Sequence, residues 1–141
     1  MEPNPVKFGS STVGELMRTL ALRFRRVYPS RNKTDRMHWR RRVVEKNDFM
    51  LACGAELRAL QAQPFLGPVR ISLELFFRHG NVKLMDPDNY SPKWLLDVLV
   101  RGGLIKNDTS EFIPDGVTIR FNEAPTAAWD YTIVTISDRE T

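Results

Sequence analysis

The most regular pattern in the chain lies at residues 69–77. Apolar side chains occupy every second position there, and Arg70, Ser72 and Glu74 stand between them. Successive side chains of a strand point to opposite faces, so this pattern predicts a strand with one apolar and one polar face. It is the clearest element in the sequence, and it places a β-sheet at the centre of the predicted fold.

Weaker patterns predict the other strands. Residues 20–25 alternate apolar and polar side chains, and Pro29-Ser30-Arg31-Asn32 should end that strand in a turn. Residues 82–85 are predicted to be a short strand that leads to Asp86. Two closing strands are predicted at residues 117–122 and 131–136.

Two helices are predicted between these strands. The shorter should begin with Ser91 as its N-cap and Pro92 in its first position, and Gly102-Gly103 should end it. The longer should run from about residue 35 to residue 61, because apolar residues recur there at near-heptad spacing. These residues, all predicted to lie in the core, are Trp39, Val43, Met50, Cys53, Leu57 and Leu60.

The predicted order is therefore β-α-β-β-α-β-β, an α+β fold with one mixed β-sheet and two main helices. A chain of 141 residues suits one domain. We assign residues 1–18 to a poorly specified N-terminal extension and residues 19–141 to the folded domain. No apolar run approaches the roughly 20 residues that span a bilayer, and no basic segment leads into an apolar one at the N-terminus. A cytoplasmic location is expected, and the single Cys53 can form neither an internal disulfide nor a thiolate zinc site.

Positive charge is concentrated in the first third of a chain with a net charge of +4. Only Asp35 and Glu45 interrupt the segment between Arg18 and Lys46, which holds 11 of the 21 basic residues. Most charge runs are solvated helix faces, but one with so few acids is more typical of a surface that contacts nucleic-acid phosphates. The charge alone cannot indicate which nucleic acid is bound.

Three acids give the sequence its chemical signature. Asp86 and Asp88 are two residues apart, so on an extended segment their carboxylates would point the same way. Asp108 follows the second helix, and a loop from Gly102-Gly103 to Asn107 is long enough to return it to the same edge. Carboxylates are the ligands of Mg²⁺ and Mn²⁺, so a metal site facing a polyanion is predicted.

These acids have two other possible interpretations. An EF-hand loop starting at Asp86 is rejected, because Tyr90 and Ser91 occupy positions where that loop needs a ligand and a glycine. The second is turn chemistry, in which Asp and Asn side chains only bond nearby amides. From the residues alone, the metal site and the turn remain about equally favoured.

The same residues resemble a known signature. The run Asp86-Pro87-Asp88-Asn89, followed by Lys93, Asp97, Gly103-Leu104 and Asn107-Asp108, resembles that of the RusA family of Holliday junction resolvases. Tyr28-Pro29-Ser30-Arg31-Asn32 resembles that family's Pro-Ser-Asn turn, and His38-Trp39 resembles a pair in its phage-type members. The resemblance covers roughly residues 19–137. It implies a homodimeric, bacterial or phage-encoded endonuclease that nicks four-way DNA junctions with Mg²⁺, or with Mn²⁺ in its place.

The resemblance also implies roles for individual residues. Asp86, Asp88 and Asp108 match the catalytic, metal-binding acids and Lys93 matches the catalytic lysine. Asn89, Asp97 and Asn107 are assigned to support them. The chain departs from the family in having one more residue between Asp88 and Lys93, and Asn107 in place of an acid. The residues assigned to DNA binding are Arg23, Arg25, Arg31, Lys33, Arg36, Arg40, Arg41 and Lys83.

Two alternatives to a resolvase remain open from the sequence. Asn107 and the extra residue would suit a branched-DNA-binding protein with weak or no catalysis. The acids alone would also suit a general nuclease for flaps or single strands. Partners other than DNA and a second copy of the chain, including membranes and small-molecule cofactors, are not predicted.

Overall fold

A computed structural model describes residues 18–139, so most of the predicted N-terminal extension lies outside the described residues. Its sheet has four strands: β1 (Thr19–Phe24), β2 (Val69–Phe77), β3 (Val117–Glu123) and β4 (Tyr131–Asp138). Their spatial order is β1-β4-β2-β3. β4 is antiparallel to both β1 and β2, whereas β3 is parallel to β2. The predicted α+β class with a single mixed sheet is confirmed.

Three helices accompany this sheet. α1 (Arg31–Asp35) and α2 (Trp39–Leu60) lie between β1 and β2 in the chain, and α3 (Lys93–Arg101) lies between β2 and β3. A parallel pair such as β2 and β3 needs a crossover connection, which α3 and its flanking loops supply. None of the described helices has the length and apolar character to span a membrane.

The core lies on one face of the sheet. Leu73 and Leu75 of β2 are fully buried, as predicted from the alternation, and Arg70, Ser72 and Glu74 lie on the opposite face. From α2, Phe49, Cys53 and Leu57 pack into the same cluster, and Leu95, Leu96, Val98 and Leu99 of α3 join them. Cys53 is a free, fully buried thiol, which confirms its prediction as a core residue.

The long helix differs from the prediction at its N-terminal end. It begins at Trp39, where the side chain of His38 accepts a hydrogen bond from the amide of Arg40, and residues 31–35 form the separate helix α1. The predicted turn after β1 is the start of α1, with Ser30 as its N-cap. Trp39 is 63% exposed and Val43 is 51% exposed, so their prediction as core residues is wrong. The buried residues of α2 begin only at Phe49, and the turns before it have no core to pack against.

The segment before α3 also differs from the prediction. Residues 82–84 form a 3₁₀ helix rather than a strand, and a second 3₁₀ helix spans Pro87–Asn89. The side chains of Asn81 and Asp86 accept hydrogen bonds from the amides of Lys83 and Asp88 and so cap the two turns. Such local bonds compete with strand pairing. Pro92, not Ser91, is the N-cap of α3, and no side chain caps that end.

The predicted end of α3 is confirmed at Gly102. A methyl group on Gly102 would collide with the side chain of Leu57, so this position brings α3 close to α2. Gly103 has a φ of 76°, a left-handed conformation that glycine adopts without strain. The chain therefore turns sharply here and runs back toward the start of α3.

Candidate metal and nucleic-acid site

The second 3₁₀ helix carries the two neighbouring acids. One carboxylate oxygen of Asp86 accepts a hydrogen bond from the amide of Asp88 at 3.0 Å, and Pro87 occupies the first helical position. The prediction that the two acids lie on an extended segment is therefore wrong, because this cap closes the segment into a turn. Both side chains are nevertheless exposed.

The two segments that carry the family resemblance contact each other. The amide of Asn32 donates a hydrogen bond to the side-chain oxygen of Asn89 at 2.9 Å. The hydroxyl of Tyr28, which is buried, donates to the carbonyl oxygen of Tyr90. α1 is thereby joined to the acidic turn, although 57 residues of chain separate Asn32 from Asn89.

Lys93 lies between two carboxylates at the start of α3. Its Nζ is 2.7 Å from Oδ2 of Asp108 and 3.2 Å from Oδ1 of Asp97, one helical turn along. The reversal after Gly102 thus returns Asp108 to the end of the helix that carries Lys93, while its predicted convergence with Asp86 and Asp88 stays a prediction. Asn107 accepts a hydrogen bond from the amide of Asp108 at 2.8 Å, which orients the end of the returning loop.

Lys46 of α2 extends this chain of alternating charges. Its Nζ lies 2.8 Å from Oδ2 of Asp97, so that carboxylate binds one ammonium group with each oxygen. Sequence reasoning did not include Lys46 in the site. It is 51 residues from Asp97 in the chain, and only the packing of α2 against α3 brings the two together.

These contacts shift two pKa values. Hydrogen bonds first to Asp108 and then to Asp97 raise the pKa of Lys93, so the ammonium group keeps its proton. Partial burial works to raise the pKa of Asp97, but hydrogen bonds from Lys46 and Lys93 together outweigh it and leave that pKa below its usual value. Lys93 therefore stays positively charged and Asp97 stays negatively charged, so positive and negative groups alternate along the chain of contacts.

Two adjoining cavities border this group. One of about 550 Å³ is lined by Asp86, Asp88 and Asn89, and a second of about 220 Å³ is lined by Lys46 and Lys93. Arg31 and Asp35 of α1 line both cavities, so α1 stands between the acidic turn and the lysines. Asp35 is a further acid that the sequence did not assign to the site.

The acids have the right chemistry for a hard cation. Exposed carboxylate oxygens in a polar cavity, such as those of Asp86 and Asp88, are suitable ligands for Mg²⁺. Within residues 18–139, no group of three or more His, Cys, Asp or Glu side chains is arranged to hold a metal ion. Asp108 lies in its ion pair with Lys93 instead. The three-acid metal site stays a prediction.

The predicted DNA-binding residues divide into two sets. Lys33, Arg36 and Arg41 line a cavity of about 500 Å³ with no acid among its described lining residues, and Arg31 lies next to it on α1. Arg23 and Arg25 lie elsewhere, with their guanidinium groups over the rings of Tyr131 and Trp129. The others are placed separately, Arg40 over the ring of Trp39 and Lys83 in the first 3₁₀ helix.

No protein-family model matches the chain, and no curated protein matches it. The resemblance described above therefore depends on the motif residues themselves. The structure adds the contacts among those residues, namely Asn32 with Asn89 and Lys93 with Asp97 and Asp108.

Asp97 should make the stability of the protein depend on pH. Its folded-state pKa is depressed below the usual 3.8, so its contribution is present above that value and is lost as pH falls through the folded-state pKa. We expect Asp97→Asn to lower the free energy of unfolding by about 1–2 kcal/mol near neutral pH, and by less near pH ~3, where part of this contribution is already lost. Urea unfolding at the two pH values measures this difference.

Asp48→Asn is the matched control for that measurement. Asp48 is an exposed acid of α2 that forms no ion pair with any residue in the described range. Its substitution should leave stability unchanged at both pH values. A deficit of Asp97→Asn that is equally large in acid, or that is missing near neutral pH, would contradict the proposed role of the ion pairs.

Proposed function

We propose that this protein is a metal-dependent, structure-selective DNA endonuclease of the RusA type that resolves four-way junctions by paired nicks. The observation that carries the proposal is the position of Lys93. Its ammonium group is held by Asp108 and Asp97 at the edge of a cavity that shares Arg31 and Asp35 with the cavity of Asp86 and Asp88. Acids and a charged lysine that line adjoining cavities are the groups that metal-dependent phosphodiester hydrolysis uses.

In this proposal Asp86, Asp88 and Asp108 hold Mg²⁺. When bound, the metal activates water and neutralises charge on the phosphate undergoing hydrolysis. Carboxylates that converge on one site would repel one another, and a bound cation would offset that repulsion. Asp86 would use the carboxylate oxygen that does not accept from Asp88, because the other caps the turn.

Lys93 donates to the scissile phosphate or to the leaving oxygen. Its side chain is 60% exposed, so DNA can reach it, while the two carboxylates restrict where the ammonium group can lie. The raised pKa keeps the proton in place under ordinary conditions. Lys46 is a positioning residue: it binds Asp97 and holds that carboxylate in the orientation that contacts Lys93.

The basic cavity beside α1 would contact the DNA backbone. Lys33, Arg36 and Arg41 line it, and arginine forks bind phosphate oxygens without regard to base sequence. Backbone contacts of this kind suit the recognition of a branched shape. Two coordinated cuts on opposed strands require two active sites, so the functional unit in this proposal is a two-fold dimer.

A second candidate is a branched-DNA-binding protein that does not cut. One observation favours it: within the described residues, no three-acid group is arranged for a metal. One oxygen of Asp86 caps the turn, and Asp108 is paired with Lys93. The basic cavity would serve that function equally well.

Cleavage of labelled substrates distinguishes the candidates. A synthetic four-way junction, a linear duplex and a flap of matched sequence are incubated with the protein and Mg²⁺, and again with EDTA. The proposal expects symmetric nicks in the junction alone, abolished by EDTA. Cutting of all three substrates would instead indicate a general nuclease, and tight junction binding with no cutting would favour the second candidate.

A further inference from the structure

The outer face of α2 carries several large, exposed apolar side chains. Among residues 18–139, six large apolar side chains are exposed, and four of them belong to this one helix. Leu51 is 69% exposed and Val44 is 58% exposed, in addition to Trp39 and Val43. Scattered exposed apolar residues are ordinary, but a contiguous patch on one helix indicates an interaction surface.

These residues follow a regular row along the helix. Trp39, Val43, Asn47, Leu51 and Ala55 are spaced four apart, all are exposed, and none is charged. We call them the outer ridge. Residues four apart form one of the ridges through which helices pack into each other's grooves. The outer ridge therefore has the form of a helix-packing surface, although no described element covers it.

The row is symmetric about its centre. Val43 and Leu51 lie at equal distances on either side of Asn47, and Trp39 and Ala55 lie one turn further out. If a second α2 crossed it in the antiparallel direction, Val43 of each copy would oppose Leu51 of the other. Asn47 would then meet Asn47 of the second copy, and two amide side chains can satisfy each other by hydrogen bonding.

The charges of α2 favour this antiparallel direction. Residues 39–46 contain four basic residues and one acid, whereas residues 47–60 contain one basic residue and two acids. Antiparallel crossing places the strongly basic half of one helix beside the weakly acidic half of the other. Parallel crossing would place the two basic halves together, and like charges at close range are unfavourable.

We propose that the outer ridge is the surface through which two copies of this chain form a two-fold dimer, with the axis at Asn47. The choice of a second copy as the partner rests on the proposed function, because paired nicking requires two active sites. Packing of such rows gives helix axes about 8–10 Å apart that cross at roughly −50°. Arg41, about 120° around the helix from Asn47, stays free to line the basic cavity.

Light scattering coupled to gel filtration tests this surface without DNA. The wild-type protein is expected to be a dimer, and Val43→Glu and Leu51→Glu are expected to be monomers, because each places two carboxylates in the interface. Leu66→Glu is the matched control, since Leu66 is 85% exposed but does not belong to the outer ridge. It should remain a dimer. Circular dichroism of each variant should match that of the wild type.

Cross-linking tests the position of the axis. Asn47→Cys should be joined to its counterpart by a short bismaleimide, whereas Ala59→Cys should not, because it lies about 18 Å along each helix from the axis. The native Cys53 does not interfere: it is fully buried, and burial raises the pKa of its thiol to about 12. Equal cross-linking at both positions would overturn the proposed axis.

The outcomes separate this inference from the proposed function. A monomeric wild-type protein, a dimer that survives Leu51→Glu, or a dimer that Leu66→Glu disrupts equally would overturn the interface, whatever the protein does to DNA. A dimer that behaves as expected supports the interface even if no junction is cut, because none of these measurements depends on catalysis.

Discussion

Asp88→Asn is expected to slow junction cleavage by about a thousandfold or more, which corresponds to roughly 4 kcal/mol of transition-state stabilisation. The substitution removes a metal-binding oxygen and its charge but keeps the size of the side chain. Junction binding should be unchanged or tighter, because a negative charge facing the phosphates has gone. Single-turnover cleavage measures the first effect, and gel shifts with Ca²⁺ in place of Mg²⁺ measure the second.

The chain offers a control of the same chemistry for Asp88→Asn. Asp115 is an exposed acid whose carboxylate is held by Arg70 and Arg139, away from the acidic turn. Asp115→Asn should cut at the wild-type rate. Asp88 itself is exposed, so its replacement should leave the unfolding midpoint nearly unchanged. An Asp88→Asn protein that cuts junctions as fast as the wild type would remove Asp88 from the site.

Lys93→Met is expected to lower the cleavage rate by about a hundredfold or more. Methionine keeps much of the length of the side chain but removes the charge that contacts the phosphate, and it leaves Asp97 and Asp108 without their shared partner. Lys93→Arg should restore only part of the rate, because a planar guanidinium cannot reproduce the position of an ammonium group.

Arg101→Met is the matched control for Lys93→Met, because it removes a positive charge from the exposed opposite end of the same helix. It should change the rate severalfold at most. Equal losses for the two variants would show that Lys93 contributes only general attraction to DNA.

The pKa of Lys93 is raised above 10.5. Below about pH 10.5, loss of the Lys93 proton should therefore not lower the wild-type cleavage rate.

Local patterns in the sequence were sufficient to predict most of the sheet. The alternation at residues 69–77 has one physical cause, the opposite directions of successive strand side chains, and β2 has the predicted buried and exposed faces. The end of α3 was also predictable, because a pair of glycines provides both the close approach to Leu57 and the left-handed turn. The return of Asp108 to Lys93 follows from that turn.

Contacts between distant segments could not be predicted from the sequence. Nothing in the chain indicates that Lys46 binds Asp97 or that Asn32 donates to Asn89, because these pairs depend on how helices and turns pack. The near-heptad spacing of α2 failed for a related reason. It shows which residues share a helix face, but it cannot show that the core ends before Val43 and Trp39 are reached.

A supercoiled plasmid that extrudes a cruciform provides the most direct test of junction resolution. With Mg²⁺, the wild-type protein is predicted to convert it to a linear form by paired nicks at the base of the cruciform. EDTA or Asp88→Asn should leave the plasmid supercoiled. Retention of the supercoiled form by the Mg²⁺-loaded wild-type protein, or equal cutting of a plasmid without the cruciform, would contradict the proposal that this chain resolves four-way junctions.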